Sequence, residues 1–320
     1  MPFVSLPWLR ENWRQLVNEY ASGNLNHAHC LPWQPDLGAE AFIKEWLKLL
    51  LCTQARNRAC GVCKSCLLHK AGNHPDYYEV ASQDGKVVSV DQIRELTGKL
   101  QQTPNQAGAK VVWLRDAERM SITAANALLK TLEEPTQSTY FVVSPERTER
   151  LLPTLRSRMQ LHRFNVPDET AVAQWLAQQL ERVLTAAEQQ LCKRYHHRPL
   201  ALLEWLENDS VPADYPQQLA SALLGDSGWP APDKSSWRDW LLATEHLLNE
   251  LVRLKQGLGN EHLQLVSQQE QLTRWLTEKN YQVTELNHWL KSCYDVRRKL
   301  AEQSGLNGPL LLQELWTRLR

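Results

Sequence analysis

The sequence predicts an α/β domain on a parallel sheet, followed by a small helical part and a longer all-helical part. Three observations carry that expectation. From Leu9 to about Phe164, short apolar strand-like runs alternate with helix-period patterns, which implies a parallel sheet with helices on both faces. After Asn165-Val166-Pro167 the strand-like runs stop. Glycine is scarce, 13 in 320 residues, while Leu, Gln, Glu and Trp are abundant, a composition that favours helix.

Taken in order, an apolar strand-like stretch ends just before Leu31, and after Gly38 the residues Phe42, Ile43, Trp46, Leu47 and Leu50 share one helix face. Asp76 to Ala81 reads as a short strand, and Ser89-x-x-Gln92 opens a helix as a capping box. Lys110 to Arg115 is a short buried strand ending at Asp116, Ala124 to Glu134 is a helix stopped by Pro135, and Tyr140 to Val143 is another strand. Asp168 and Thr185-x-x-Glu188 are helix starts. A Pro/Gly/Ser/Asp-rich stretch from about Asp209 to Lys234 reads as a loosened linker. Beyond it, Trp237, Trp240, Leu241, Leu247, Leu248, Leu251 and Val252 keep to one helix face, and Val283, Leu286, Leu290, Cys293 and Leu300 to another. The expected domains are therefore residues 1–166, 167–208 and 209–320, with neither internal repeat nor low-complexity tract.

With 36 basic and 36 acidic residues the chain is not an electrostatic trap for nucleic acid as a whole. The start, MPFVSLPWLREN, has no basic run leading into a long apolar one, so no signal peptide is expected. No segment approaches 18 apolar residues, so no membrane span is expected either. Four of the seven cysteines cluster and the other three, Cys30, Cys192 and Cys293, lie scattered in apolar contexts. That usage suits a reducing cytoplasm better than a disulfide framework.

The cluster is Cys52-x7-Cys60-x2-Cys63-x2-Cys66, within a segment 52–66 inserted in the α/β domain. Two C-x2-C steps let neighbouring thiolates converge on one tetrahedral Zn²⁺, and Cys52 supplies the fourth sulfur across a seven-residue loop. A closed four-thiolate site has no open position for water or substrate, so the expected role of the zinc is structural. His69 and His74 could each replace a cysteine, but four thiolates complete the set. A redox C-x2-C reading fits poorly with a three-cysteine ladder.

Between the first strand and its helix, LPWQPDLGAEAF (Leu31 to Phe42) occupies the place of a phosphate loop. It keeps only Gly38 of the glycines, and Ala39 and Glu40 stand where a G-K-[ST] ending needs a lysine and a hydroxyl. Each lost charge-assisted bond is worth about 1.5–3 kcal/mol, so losing both removes roughly two to four orders of magnitude in affinity. Glu40, in the first helical turn, also answers the helix dipole internally and repels an anion. ATP is not expected to bind. Asp116 ends a strand as a metal-holding acid of a nucleotidase does, but the next position is Ala117 and Glu118 is one step too far. The favoured reading is that Asp116 caps the strand end. Ser157-Arg158 lies among Arg147, Arg150, Arg156 and Arg163; an exposed arginine near a strand end can reach a phosphate on a neighbouring chain.

The stretch Ala109 to Met159, with NALLKTLEEP (Asn126 to Pro135) and the L-x-T-[IL]-x-S-R element (Leu152 to Arg158), resembles the AAA+ clamp-loader family of bacterial DNA polymerase III. HPDYYEV (His74 to Val80), the cysteine quartet and the degenerate loop extend the likeness from Pro7 to about Asn208, with a thinner trace from Cys293 to Leu319. The resemblance implies an AAA+ core, a helical lid and a C-terminal collar that closes a five-subunit ring. It implies a non-hydrolysing member that braces ATPase subunits of gamma/tau type and a delta subunit while the sliding clamp is opened and placed on primed DNA. Arg158 matches the arginine of the family's S-R-C motif and would act in trans as an arginine finger on a neighbour's ATP. The motif's cysteine is Met159 here, and the family's sensor threonine position carries Ser144. Arg198 lies near a second sensor position, but its surroundings do not match and it is left out of the site. Two other readings stand beside this one: a catalytic clamp-loader ATPase, against which the erased loop speaks, and a zinc module that binds nucleic acid alone, against which the neutral charge speaks.

Overall fold

The computed structural model describes residues 5–319 except 83–86, 107, 209, 211–213, 234–235, 259–264, 266–267 and 303–305. The chain forms two compact units, Met1–Ser210 and Val211–Arg320.

The first unit runs α1 (Arg10–Ala21), β1 (Ala28–Cys30), α2 (Ala39–Leu51), α3 (Lys64–Lys70), β2 (Tyr77–Val80), α4 (Val90–Leu100), β3 (Lys110–Arg115), α5 (Ile122–Glu133), β4 (Thr139–Ser144), α6 (Pro153–Arg156) and β5 (Gln160–Leu161). The strands make one sheet in the order β2-β3-β4-β1-β5, with every pair parallel. Alternation along β3 sorts the two faces. Val111 and Trp113 join the core with α1 and α2, while Val112 and Leu114 join the core with α4 and α5. The expected face of α2 is fully inside, from Phe42 through Leu50.

The start signals act as expected. Ser89 and Gln92 close a capping box on α4. Ser121 accepts from Ala124 N, which starts α5 two residues earlier than its apolar pattern suggested. Asp116 differs: it sits at φ 50°, and its side chain makes no capping bond, so its part is to turn the backbone rather than to cap it.

The helices α7 (Glu169–Gln179), α8 (Ala186–Tyr195) and α9 (Pro199–Glu207) begin at side-chain caps of Asp168 and Thr185 and at Pro199 respectively. Val172, Trp175, Leu176, Cys192, Leu202 and Leu203 share the core that α1 and α2 build. Trp175 meets Trp8 edge-on at 5.1 Å and donates to Ser5 O at 2.8 Å.

The second unit is helical: α10 (Tyr215–Leu224), α11 (Trp237–Lys255), α12 (Gln269–Glu278), α13 (Val283–Glu302) and α14 (Gly308–Leu319). Its core holds Leu247, Leu248 and Leu251 of α11 with Leu286, Leu290 and Cys293 of α13. The expected linker is a correction in part. Residues 209, 211–213 and 234 lie outside the described residues, but Tyr215–Leu224 is a helix. Asp214 accepts from Gln217 N, Pro216 sits in the first turn, and Gly225 ends the helix at φ 85°. Leu219 and Ala220 are buried in the core of this unit, so packing outweighed the turn-rich composition. No described helix is long and apolar enough to cross a membrane.

Candidate functional site

Two sites lie at the two ends of α2. At its C-terminal end the backbone opens at Cys52, and Cys63 caps the short α3 by accepting from Cys66 N. The four sulfurs of Cys52, Cys60, Cys63 and Cys66 all lie within 4.8 Å of one another. Cys52 and Cys63 are 3.9 Å apart and Cys60 and Cys66 4.0 Å. A tetrahedron with Zn–S bonds of about 2.3 Å has edges of about 3.8 Å, so the quartet fits a zinc ion. Backbone N–H groups point into it: Cys60 N donates to Cys52 Sγ at 3.3 Å and Cys63 N to Cys60 Sγ at 3.3 Å. Burial works to raise the Cys63 thiol, but the Cys66 N–H and the Thr53 and cysteine side chains bring it down to about 6. Burial and the neighbouring Cys63 push Cys66 up to about 12. Four sulfurs this close cannot all ionise without a cation among them. The histidines stand aside: His69 packs edge-on against Tyr77 at 5.1 Å, and both ring nitrogens of His74 are engaged by Ser65 and Asp76.

At the N-terminal end of α2 the chain comes off β1 in a loop from Leu31 to Gly38. β1 leads to β2 at one edge of the sheet while its neighbour β4 leads to β5 at the other, and such a switch point is where parallel α/β sheets open a ligand crevice. Here the crevice is filled. The Arg115 guanidinium lies 5.0 Å from the Trp33 ring and 5.0 Å from the Trp113 ring, and it pairs with Glu79 at 3.2 Å. Ser144, the last residue of β4, accepts the Trp113 indole N–H at 2.8 Å. Backbone donors that a phosphate needs are turned onto the loop itself: Gly38 N donates to Pro35 O at 2.9 Å and Ala39 N to Gln34 O at 3.2 Å. Gly38 takes φ 86°, and a Cβ there would come within 2.2 Å of Leu6 Cδ1, so glycine survives for backbone shape and close packing. Glu40 is held by Lys44 at 2.6 Å. Arg198, at the start of α9, donates to Asp36 of the loop at 2.6 Å and lies 5.3 Å from the Trp205 ring. Sequence reading passed over Trp33, Asp36 and Arg115 and set Arg198 aside; the partners are joined by the fold and no local spacing marks them. The Glu118 carboxylate accepts from Glu146 N, just past the end of β4, at 3.2 Å.

Arg158 stands apart from both sites, between α6 and β5. Its guanidinium binds Glu133 at the end of α5, through Nε at 2.7 Å and through Nη2, and donates to Thr154 O at 2.7 Å. The side chain remains about one-third exposed.

A five-stranded parallel sheet with β1 between β4 and β5, a switch-point loop at the head of α2 and helices behind it define an AAA+ domain, followed here by helical parts. The profile of the family described as "DNA polymerase III, delta subunit" matches residues 8–168. DNA polymerase III subunit delta' of Pseudomonas aeruginosa is 34% identical, over 97% of this chain and 95% of its own length. The same subunit of Escherichia coli strain K12 is 44% identical over 54% of this chain and 53% of its own length. The chain belongs to the delta' family of DNA polymerase III subunits. Among solved structures, a DNA polymerase III gamma subunit-related protein from Thermotoga maritima is similar at 16% identity with a TM-score of 0.37, covering 98% of each chain, a likeness too loose to add to the fold just described.

Proposed function

We propose that this chain is the structural, non-hydrolysing subunit of a clamp loader, bracing ATPase subunits of gamma/tau type and the delta subunit while a sliding clamp is set on primed DNA. The filled crevice carries this reading. Trp33, Arg115 and Trp113 stack over the strand ends, and the loop uses its own Gly38 and Ala39 N–H groups. A nucleotide would have to displace a cation–π pair and unmake the turn before making any bond of its own. Membership of the delta' family supports the same place in the assembly. In this reading residues 167–208 are the lid and residues 209–320 the ring-closing collar. Zinc at Cys52, Cys60, Cys63 and Cys66 is a structural clasp, and the protein works in the cytoplasm. Arg158, partly exposed, reaches the ATP of an adjoining ATPase subunit in trans. The test is a calorimetric titration of the purified full chain with Mg²⁺ and ATP. No heat of binding at millimolar nucleotide is the expected result; micromolar binding overturns the non-hydrolysing assignment.

A further inference from the structure

Ser65 lies between two of the four cysteines on α3, yet it points away from them into the protein. It is buried at 2% exposure. Its hydroxyl is 2.6 Å from Leu51 O and 2.6 Å from His74 Nε2, while His74 Nδ1 faces Asp76 N at 3.1 Å. The positions of the protons follow from chemistry alone. A backbone N–H can only donate, so His74 Nδ1 is the acceptor and the ring proton sits on Nε2. That N–H donates to Ser65 Oγ, and the one hydroxyl proton of Ser65 goes to Leu51 O, which can only accept. The serine is therefore no nucleophile: it receives a proton from the histidine instead of yielding one. For the same reason His74 has no lone pair left for a metal.

The relay joins the two arms of the cysteine cluster. Leu51 is the last residue of α2 and precedes Cys52, whereas Ser65 sits on α3 between Cys63 and Cys66. Its far end is anchored. The Asp76 carboxylate is 1% exposed and accepts from Asn105 N at 2.7 Å, Asn105 Nδ2 at 3.0 Å and Gln106 N at 2.9 Å. The three-cysteine ladder is local in sequence and can close by itself, but Cys52 belongs to another helix and must be brought to it. Groups outside a metal's ligand shell fix ligand geometry in this way.

We propose that Ser65 and His74 are positioning residues of the metal site, holding α3 against the end of α2 so that the Cys52 sulfur meets the other three. This inference rests on the zinc reading and fails with it or separately from it. The experiment uses the full chain loaded with Zn²⁺ and follows metal transfer to a chromogenic chelator. Ser65→Ala, which removes one oxygen, and His74→Ala are expected to speed zinc loss roughly 10- to 100-fold. His74→Gln, which keeps an N–H donor near the place of Nε2, is expected to recover most of the wild-type retention. Nitrogen-15 spectra of the loaded wild type should show His74 protonated at Nε2 and bare at Nδ1. A folded Ser65→Ala chain that releases zinc at the wild-type rate overturns the positioning role while leaving the metal site standing. A wild-type chain that holds no zinc removes both.

Discussion

The two ends of α2 make opposite sites from the same helix. At the C-terminal end the groups fit a cation: four sulfurs converge within 4.8 Å, and backbone N–H groups are turned toward them. At the N-terminal end the groups that would meet an anion are engaged within the chain: Glu40 and Lys44 answer each other, and the first N–H groups serve the preceding turn. A helix N-terminus is favourable to phosphate only while its donors and its dipole are unspent. The difference teaches that the two ends of one helix can present opposite chemistry according to what their side chains and N–H groups are bound to. At the strand ends Arg115 lies against Trp33 and Trp113, and Arg198 ties down Asp36 of the loop.

The largest expected effect breaks the C-terminal end. Cys52→Ser removes the one ligand that α2 contributes, and apparent zinc affinities of structural sites correspond to about 10–16 kcal/mol. Metal content is expected to fall from one zinc per chain to nearly none after dialysis. Retention of one zinc per chain would show that the ladder of three binds without α2.

The N-terminal end is sharpened by trying to make it bind. Ala39→Lys with Glu40→Ser returns a lysine and a hydroxyl worth together roughly 3–6 kcal/mol in an intact loop. Calorimetry with Mg²⁺ and ATP is expected to stay silent, because the stacked side chains and the occupied donors remain. Micromolar affinity in that double variant would reduce the loss to two side chains and make the filled crevice incidental.

How much of this was legible in the sequence follows from how local each feature is. The cysteine spacing, the capping boxes of α4 and α8 and the apolar run of β3 are each written within a few residues, and the structure keeps them. β5 is only Gln160–Leu161, held by its pairing with β1, and two residues carry no periodicity to read. α10 hid behind Pro216 and Gly225, residues that also mark loops, until Leu219 found its place in the core. The partners Asp36 and Arg198 are 162 residues apart. The residues that a phosphate loop would need are read from the letters alone, but what packs around this loop is a tertiary fact.

At β1 a buried histidine pair makes stability depend on pH. His29 Nδ1 is 2.9 Å from His162 Nε2, and His29 is fully buried. Burial first, and His162 second, hold the His29 imidazole down at about 3, and burial also lowers His162. The unfolded chain takes up a proton near the ordinary value of about 6.5, whereas the native chain refuses it. The stabilisation is therefore complete above about pH 6.5 and is lost progressively as pH falls toward 3. The unfolding free energy of the full chain, from urea titration, should decline through that window, by on the order of a few kcal/mol in total. His29→Gln should flatten the decline; an unchanged slope would place the acid sensitivity elsewhere.

The smallest effect concerns Arg158, which belongs to neither end of α2 and is tied to Glu133. An ion pair this exposed contributes at most about 1 kcal/mol, so its stability role is slight and its partner is easily exchanged for a phosphate of higher charge. Arg158→Ala is expected to leave assembly intact and to lower DNA-dependent ATP turnover of the reconstituted complex. Glu133→Gln keeps the shape of the side chain and frees the guanidinium. Its expected outcome is an unfolding midpoint within about 1 kcal/mol of wild type and turnover raised by no more than about fivefold, the rate equivalent of that energy. Turnover that falls in Glu133→Gln as far as in Arg158→Ala would mean that Glu133 presents the arginine rather than restrains it. Turnover unchanged in Arg158→Ala would remove the finger itself. The contrast with the cysteine quartet is then one of energy: in the proposed reading a guanidinium that changes partners has to be held weakly, whereas a clasp that stays shut would be held by four sulfurs.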